Sequence, residues 1–331
     1  MNAGFGVGTW ARFKRRRLAM LSLGMIALLL LVAGTADLIA SDKPVAARMD
    51  GRLWILPAWT QPPDLRNETI PTLRQRVAAQ ADGWLVEPLI PWGPHQTDVA
   101  GALAAPSGEH LMGTDEIGRD VLARLVHGTR VSLGIGLVAI SLCVLVGVAL
   151  GLLAGFYGGR LDGFISRCTE VMLSFPTLFL VLCVLGLMRV KTLLPVMVVI
   201  GLTGWTDVAR LVRAEALRLR EMDFVTASRA LGASDVRVLL RHVLPNALGP
   251  VLASAAVGIA QIILLESALS FLGFGVPPPT ASWGELLTQA QRYVTYPSAW
   301  WLTLYPGGAL FLTVIAFNLM AEGLRDAMDP R

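Results

Sequence analysis

Six long apolar stretches most constrain how this chain can fold. An α-helix needs about 20 mainly apolar residues to cross a hydrocarbon core about 30 Å thick. The stretches cover approximately residues 18–36, 131–159, 171–188, 192–211, 247–269 and 301–321. The composition agrees, because 54% of the 331 residues are hydrophobic, only 16% are charged and the mean hydropathy is +0.59. The sequence therefore predicts an all-α membrane protein with six transmembrane helices.

The distribution of lysine and arginine predicts how these helices are oriented. Basic residues in short loops resist transfer across a membrane. Two segments are rich in them: before the first stretch lie Arg12, Lys14, Arg15, Arg16 and Arg17, and between the fourth and fifth lie Arg210, Arg213, Arg218, Arg220, Arg229, Arg237 and Arg241. The short loops on the other side carry Arg189 with Lys191, and Arg292. Both termini are therefore predicted to be cytoplasmic, and residues 41–130 external.

The first stretch also has features of a cleaved signal peptide. A basic segment precedes it, and Gly34, Thr35 and Ala36 have the small side chains of a cleavage site. The apolar region of a signal peptide is usually about 7 to 15 residues long, whereas this stretch has 19. Its length favours an uncleaved transmembrane anchor.

Residues 41–130 are predicted to begin with a small external insert. Up to Pro106 this segment is rich in Pro, Gly and Trp, and it shows little periodicity apart from a short helix near Leu73–Ala81. A structured spacer that packs on the helices and a receiver for a docking protein or substrate both fit this composition.

A second helix is predicted after the insert. Ile117, Val121, Leu122, Leu125 and Val126 form an amphipathic stripe, which predicts a helix lying at the external interface. Three nearby carboxylates, Asp115, Glu116 and Asp120, have no accompanying nucleophile or metal-ligand set. The predicted domains are thus 1–40 (basic N-terminus and first helix), 41–130 (insert and interfacial helix), 131–322 (transmembrane domain) and 323–331 (cytoplasmic C-terminus).

The cytoplasmic loop at 213–246 has apolar residues at helical spacing and is too ordered for a linker. Gly232 is predicted to end a first short helix in a left-handed conformation, and Ser234 or Asp235 to cap a second that runs to Pro245. A solvated helical hairpin and a helix-turn-helix DNA reader are alternatives. Both ends of the loop join membrane helices, which favours insertion into a protein groove over contact with DNA.

The same loop resembles that of ABC-importer permeases. Their pattern is Glu-Ala-Ala, then Gly three residues on, then Leu-Pro, and here it matches Thr226-Ala227-Ser228, Gly232 and Leu244-Pro245. Thr226 and Ser228 replace the Glu and the second Ala, so a glutamate-specific contact to the ATPase does not carry over. The resemblance implies that the loop couples to an ATPase through Thr226, Ala227, Ser228, Ala230, Leu231, Gly232, Ala233, Ser234, Leu244 and Pro245.

Other segments resemble the C-type subunit of the dipeptide, oligopeptide and nickel permease family. They are GTDEIGRDVLARLVHGTRVSL, GLLAGFYGG, LSFP, LSFLGFGVPPPTASWGELL and LRDAMDPR. The insert, with SDKP and DGRLW, resembles the oligopeptide subgroup that also imports peptide-like antibiotics. The family implies a type I ABC importer permease fold in a bacterial inner membrane. It also implies peptide transport, or transport of nickel or another small solute.

The resemblance further implies the partners of the chain. They are a second, homologous permease, two cytoplasmic ABC ATPase domains or subunits, an external substrate-binding protein and membrane lipid, but no nucleic acid. ATP and Mg²⁺ would be bound by the ATPases, since the only lysines here, Lys14, Lys43 and Lys191, do not follow a glycine as a phosphate-binding loop requires. No catalytic residue, cofactor or metal site is predicted. An intramembrane enzyme and a passive channel are the alternatives from other classes.

Several residues inside the stretches have two interpretations. Carboxylates are costly in a membrane, so Glu170, Asp207 and Glu266 are either functional or paired at the interface. Gly147, Gly151 and Gly155 recur at four-residue spacing, which favours close helix packing over substrate binding.

Overall fold

The structure, a computed structural model, describes residues 7–80, 82–188 and 192–328. Ala81 of the predicted insert helix, the loop charges Arg189 and Lys191, and the two ends of the chain at 1–6 and 329–331 lie outside the described residues. The chain divides into two compact units. One contains Met1–Ile26, Ile135–Leu269 and Leu312–Arg331, and the other contains Ala27–Gly134 and Ser270–Phe311.

The N-terminal region is helical, as predicted for the first stretch. Helix α1 covers Val7–Lys14, α2 covers Arg17–Gly34 and a single turn, α3, covers Ala36–Ile39. Helix α2 is long and apolar enough to cross a membrane. Phe13 is buried against α2 and the last helix, in a small core with Ala19 and Ala327.

The insert contains a small antiparallel sheet that the sequence did not predict. Strands β1 (Ala46–Met49), β2 (Arg52–Ile55) and β3 (Trp84–Val86) pair in the order β2-β1-β3. Between β2 and β3 lie the turn α4 (Pro57–Thr60), a 3₁₀ turn at Pro63–Leu65, and α5 (Ile70–Ala78), which confirms the predicted short helix. A second 3₁₀ turn covers Val99–Gly101.

Helix α6 covers Val121–Tyr157 without a break, so the prediction of a separate interfacial helix is wrong. Residues 114–120 form a turn, in which Asp120 accepts a hydrogen bond from the Ala123 N–H (2.7 Å) and so caps α6. The apolar stripe from Val121 to Val126 is the first part of this 37-residue helix. Val121, Ala123 and Val126 of this part are buried against residues of the same unit.

The third predicted stretch, 171–188, contains a break between two helices, and the first of them begins well before the stretch. Helix α7 (Gly159–Leu173) and helix α8 (Thr177–Met188) meet at an angle of 85°. Pro176 lacks an N–H and disfavours helical geometry at Phe175, so the chain bends there. Because α8 has only 12 residues, about 18 Å of helix, it is too short to cross the membrane alone.

The next region leads into and out of the predicted cytoplasmic loop. Helices α9 (Leu193–Thr203) and α10 (Trp205–Arg220) form the fourth apolar stretch. Then come α11 (Asp223–Ala230), α12 (Asp235–Val238), a π-helical turn at Leu239–Val243, and α13 (Leu244–Phe271). We call residues 223–243 the hairpin.

Pro245 does not end the second helix of the hairpin, contrary to the prediction. The π-helical turn just before it has a wider hydrogen-bonding spacing, which relieves the contact between the proline ring and the preceding turn. The Asn246 side-chain amide donates to the His242 carbonyl oxygen (2.6 Å) at this point. The helix therefore continues into α13.

The last region contains α14 (Trp283–Ala290), 3₁₀ turns at Gln291–Tyr293 and Pro297–Ala299, and α15 (Trp301–Met328). Part of the predicted C-terminal segment, up to Met328, thus continues α15. Across the described residues, five helical segments are long and apolar enough to span a membrane, and the α7–α8 pair gives a sixth if it is one span. This agrees with the six predicted stretches.

Candidate functional site

The turn of the hairpin is fixed by its own backbone. Gly232 has φ of +83°, the left-handed conformation predicted for it. Its N–H donates to the Arg229 carbonyl oxygen (2.9 Å), and the Ala233 N–H donates to the Ser228 carbonyl oxygen (3.1 Å). This pair of hydrogen bonds is the Schellman arrangement that ends a helix. Glycine is favoured here because a side chain makes a left-handed residue costly.

The predicted contact residues lie mostly at the exposed end of the hairpin. Leu231 is 90% exposed. Ser228, Ala233 and Leu244 are half-buried, and the remaining predicted residues are exposed: Thr226, Ala227, Ala230, Gly232, Ser234 and Pro245. The turn is therefore open to a partner.

The base of the hairpin is buried in the core of its unit. Val225, Val238, Leu239 and Val243 pack in one cluster with residues of α6, α10 and α13. Arg229 joins the two halves, since its guanidinium pairs with Asp235 (3.1 Å) and lies 5.0 Å from the centre of the Phe156 ring. A buried base thus supports an exposed turn.

Helix α10 leads away from this base and packs closely against α6, where a row of glycines faces it. A Cβ atom on Gly147 would lie 2.6 Å from Val208 Cβ, and one on Gly155 would lie 2.5 Å from the Arg213 carbonyl oxygen. Gly151 has a similarly close approach to Ala209. This confirms that the three glycines allow close packing, here of α6 on α10.

The same helix lines a large cavity. The cavity measures about 970 Å³, and α10 contributes Asp207, Arg210 and Leu211 to its wall. Other polar groups come from further helices of the same unit: Cys143, Thr177, Ser254, Gln261 and Arg325. One helix therefore has its N-terminal half on a cavity lined by both polar and apolar residues, and its C-terminal end at the hairpin.

The other two carboxylates named in the sequence lie elsewhere. Glu170 accepts a hydrogen bond from the exposed Arg167 (2.6 Å), and Glu266 is fully buried within α13. Of the three, only Asp207 lines the cavity.

A cluster of buried charges occurs in the other unit, and the sequence did not predict it. We call its members the charge cluster: Asp115, Arg119, Asp120, Arg124 and Glu285, together with His110, which is hydrogen-bonded to Asp120. Arg124, whose side chain has no exposed surface, donates to Glu285 (2.5 Å), 161 residues away. Burial raises the pKa of the Glu285 carboxyl, and the Arg124 guanidinium opposes that rise.

Each carboxylate that the sequence placed near the start of α6 has an internal partner. Asp115 accepts from Arg119 (2.6 Å), Asp120 pairs with His110 (2.8 Å), and Glu116 pairs with Arg292 (3.2 Å). Among the described residues, no group of three or more potential ligands is placed to hold a metal ion. The carboxylates therefore bind other parts of their own unit.

Apolar helices long enough to span a membrane, a cavity of mixed polarity and an exposed hairpin are features expected of a membrane permease. Residues 147–331 match the model of the family described as binding-protein-dependent transport system inner membrane component. Residues 4–63 match the N-terminal transmembrane domain of oligopeptide transport permease C. The chain belongs to this permease family, and the predicted type I importer permease fold follows from that membership.

Three curated relatives cover most of the chain. The dipeptide transport system permease protein DppC of Alkalihalophilus pseudofirmus is 37% identical over 71% of this chain and 77% of its own length. A putative peptide transport system permease protein of Brucella suis is 40% identical over 73% of this chain and 82% of its own length. The oligopeptide transport system permease protein OppC of Bacillus subtilis is 37% identical over 71% of this chain and 76% of its own length.

Proposed function

We propose that this chain is one permease subunit of an ATP-driven importer of peptides, and that its hairpin docks on an ATPase subunit. The names of the three relatives described above all specify the transport of peptides, dipeptides or oligopeptides. The observation that carries the proposal is the exposed Schellman turn at Gly232, whose buried base is joined by α10 to the cavity. Movement of the hairpin would be transmitted along α10 to the cavity wall.

The proposed assembly contains partners for each step. A second permease completes the path, an external binding protein delivers the peptide, and two ATPase subunits bind ATP and Mg²⁺ at the cytoplasmic side. The basic segments favour the hairpin and both termini in the cytoplasm of a bacterial cell and the insert outside. The permease itself contributes the path and the coupling surface, without a cofactor of its own.

The coupling role is tested by Gly232→Val, together with the bulky change Ala227→Trp. No described atom lies within 4 Å of a Cβ built on Gly232, so valine creates no clash within the chain. It strains the turn by about 1–2 kcal/mol and adds surface where the partner docks. We expect peptide uptake by the reconstituted complex to fall at least about tenfold, because ATPase docking is weaker or hydrolysis is uncoupled.

A matched control is Gly163→Val, since Gly163 is also exposed and has no close neighbour in the described chain, but has ordinary helical geometry. It should leave uptake unchanged. The amount of folded permease in the membrane should stay near normal in all three variants. If Gly232→Val and Ala227→Trp both transport normally, the hairpin is not the coupling element.

A further inference from the structure

The sheet of the insert has two different faces. Neighbouring residues of a strand point to opposite sides, and the strand register assigns each residue to a face. One face forms the core of the insert, with Ala47, Met49, Trp54 and Leu85 from the strands and Leu65, Leu73 and Val77 from the segment between β2 and β3. The other, which we call the open face, carries Ala46, Arg48, Leu53, Ile55, Trp84 and Val86.

The open face is an ordered apolar surface. Its residues form two rows across the three strands, Leu53-Arg48-Trp84 and Ile55-Ala46-Val86. The four large apolar side chains remain between 42% and 61% exposed. In antiparallel sheets the apolar face is normally covered by the protein core and the solvated face is polar. An exposed apolar patch on a protein commonly marks an interaction site.

The central arginine indicates what kind of partner fits. Arg48 is exposed and lies between Leu53 and Trp84. A guanidinium is costly to place in hydrocarbon, which argues against burial of this face in the lipid core. Arginine and tryptophan are the residues that most often dominate protein interfaces. The face therefore suits a protein surface that is apolar and carries a carboxylate opposite Arg48.

The family to which the chain belongs is described as binding-protein-dependent, and in the proposed orientation the insert lies on the external side, where such a protein would dock. We propose that the open face docks the external substrate-binding protein of this importer, with a carboxylate of that protein facing Arg48. This inference rests on the proposed function and on its orientation. Six residues form a small contact, which is typical of transient complexes and allows the binding protein to leave after delivery.

The test uses the full complex with its second permease and ATPases in nanodiscs, and the purified, labelled binding protein of the same transporter. Arg48→Glu reverses the central charge, and the double change Leu53→Thr with Ile55→Thr removes apolar surface but keeps strand propensity. Each should raise the Kd for the binding protein by about tenfold or more. ATP hydrolysis in its absence should not change.

Matched controls lie in the same unit but off the open face. Arg66→Glu makes the same charge reversal at an exposed arginine, and Val99→Thr removes apolar surface at a residue that is 76% exposed. Both should bind the binding protein as the wild type does. Higher salt should weaken wild-type binding more than binding by Arg48→Gln, because only the wild type retains the ion pair.

The outcomes separate the two proposals. If the wild-type complex does not assemble with an ATPase, the proposed function fails. If it assembles and hydrolyses ATP but the open-face variants bind normally, only the docking inference fails. The inference is also overturned if the controls lose as much affinity as the open-face variants. A change only in the stability of the permease in the membrane would overturn it too, because it would indicate that lipid covers the open face.

Discussion

The hairpin and the charge cluster are held in shape by opposite means. The hairpin turn depends on two backbone hydrogen bonds between residues no more than five positions apart, and its surface is exposed. The charge cluster depends on side chains as far apart as Arg124 and Glu285, and both of these are buried. A locally fixed turn stays available to a partner, whereas a cluster of buried charges ties distant segments of one unit together.

This difference predicts which changes affect folding and which affect transport. A change at the exposed turn should alter coupling and leave the fold intact, as argued above for Gly232. A change in the charge cluster should act on the fold first, because a buried charge that loses its partner is strongly destabilising.

Arg124→Ala should have the largest effect on stability. It leaves the carboxylate of Glu285 buried without its cationic partner, which costs about 3–5 kcal/mol. We expect a clearly lower yield of folded permease and a lower thermal midpoint in detergent. The double variant Arg124→Met with Glu285→Leu should recover much of the loss, because it removes both charges and keeps volume. A stable single variant would show that the cluster contributes little to the fold.

Gly155→Leu should have an intermediate effect. Its Cβ would lie 2.5 Å from the Arg213 carbonyl oxygen and 2.7 Å from Ala216 Cβ, so α6 and α10 must separate at a cost of about 1–3 kcal/mol. Thermal unfolding and uptake should both decline, since α10 also carries the hairpin. Gly163→Leu, at an exposed helical glycine, is the control. Normal uptake by Gly155→Leu would show that transport tolerates a looser contact between these helices.

Asp37→Asn should have the smallest effect, one that depends on pH. Burial alone raises the pKa of Asp37, but hydrogen bonds from Arg130 and Trp59 hold it below its ordinary value. A lowered folded-state pKa stabilises the protein above the unfolded value of about 3.9 and ceases to do so as pH falls through the folded value. The wild type should therefore melt slightly above the variant at pH 7, with the gap closing below about pH 4.

The control is Asp64→Asn, at a carboxylate whose ion pair with Arg52 is more than half exposed. Exposed ion pairs contribute little to stability, so its melting temperature should match the wild type at both pH values. A gap for Asp37→Asn that persists at low pH would mean that the amide affects packing rather than charge.

Local features were the ones that the sequence predicted well. The length of an apolar stretch is enough to predict a spanning helix, and a glycine that follows a short helix is enough to predict a left-handed residue, as at Gly232. The stripe predicted from Ile117 to Val126 was misjudged, because its pattern does not reveal that the helix starts only at Val121 and continues to Tyr157. Pro245 was misjudged because a π-helical turn allows the helix to continue through it.

Features that depend on distant residues were missed. No local pattern pairs Arg124 with Glu285, and β1, β2 and β3 are so short that alternation within each is weak. The bend at Pro176 was missed for another reason. The proline is visible in the sequence, but the continuous apolar run around it was interpreted as a single straight span. Within the candidate site, the sequence located the exposed turn, whereas the cavity wall required several helices to be placed together.

The two ends of residues 41–89, the first part of the insert, lie next to each other in the structure. Ala40 and Ile90 form a parallel bridge, the Ser41 N–H donates to the Ile90 carbonyl oxygen (3.2 Å), and the Ile90 N–H donates to the Ile39 carbonyl oxygen (2.8 Å). The residues between have a core of their own, and the segment also contacts α3, where the Trp59 indole N–H donates to Asp37 (2.8 Å). At the level of the gene, a segment whose two ends lie side by side can be introduced by a single insertion, because the neighbouring chain need not be rerouted.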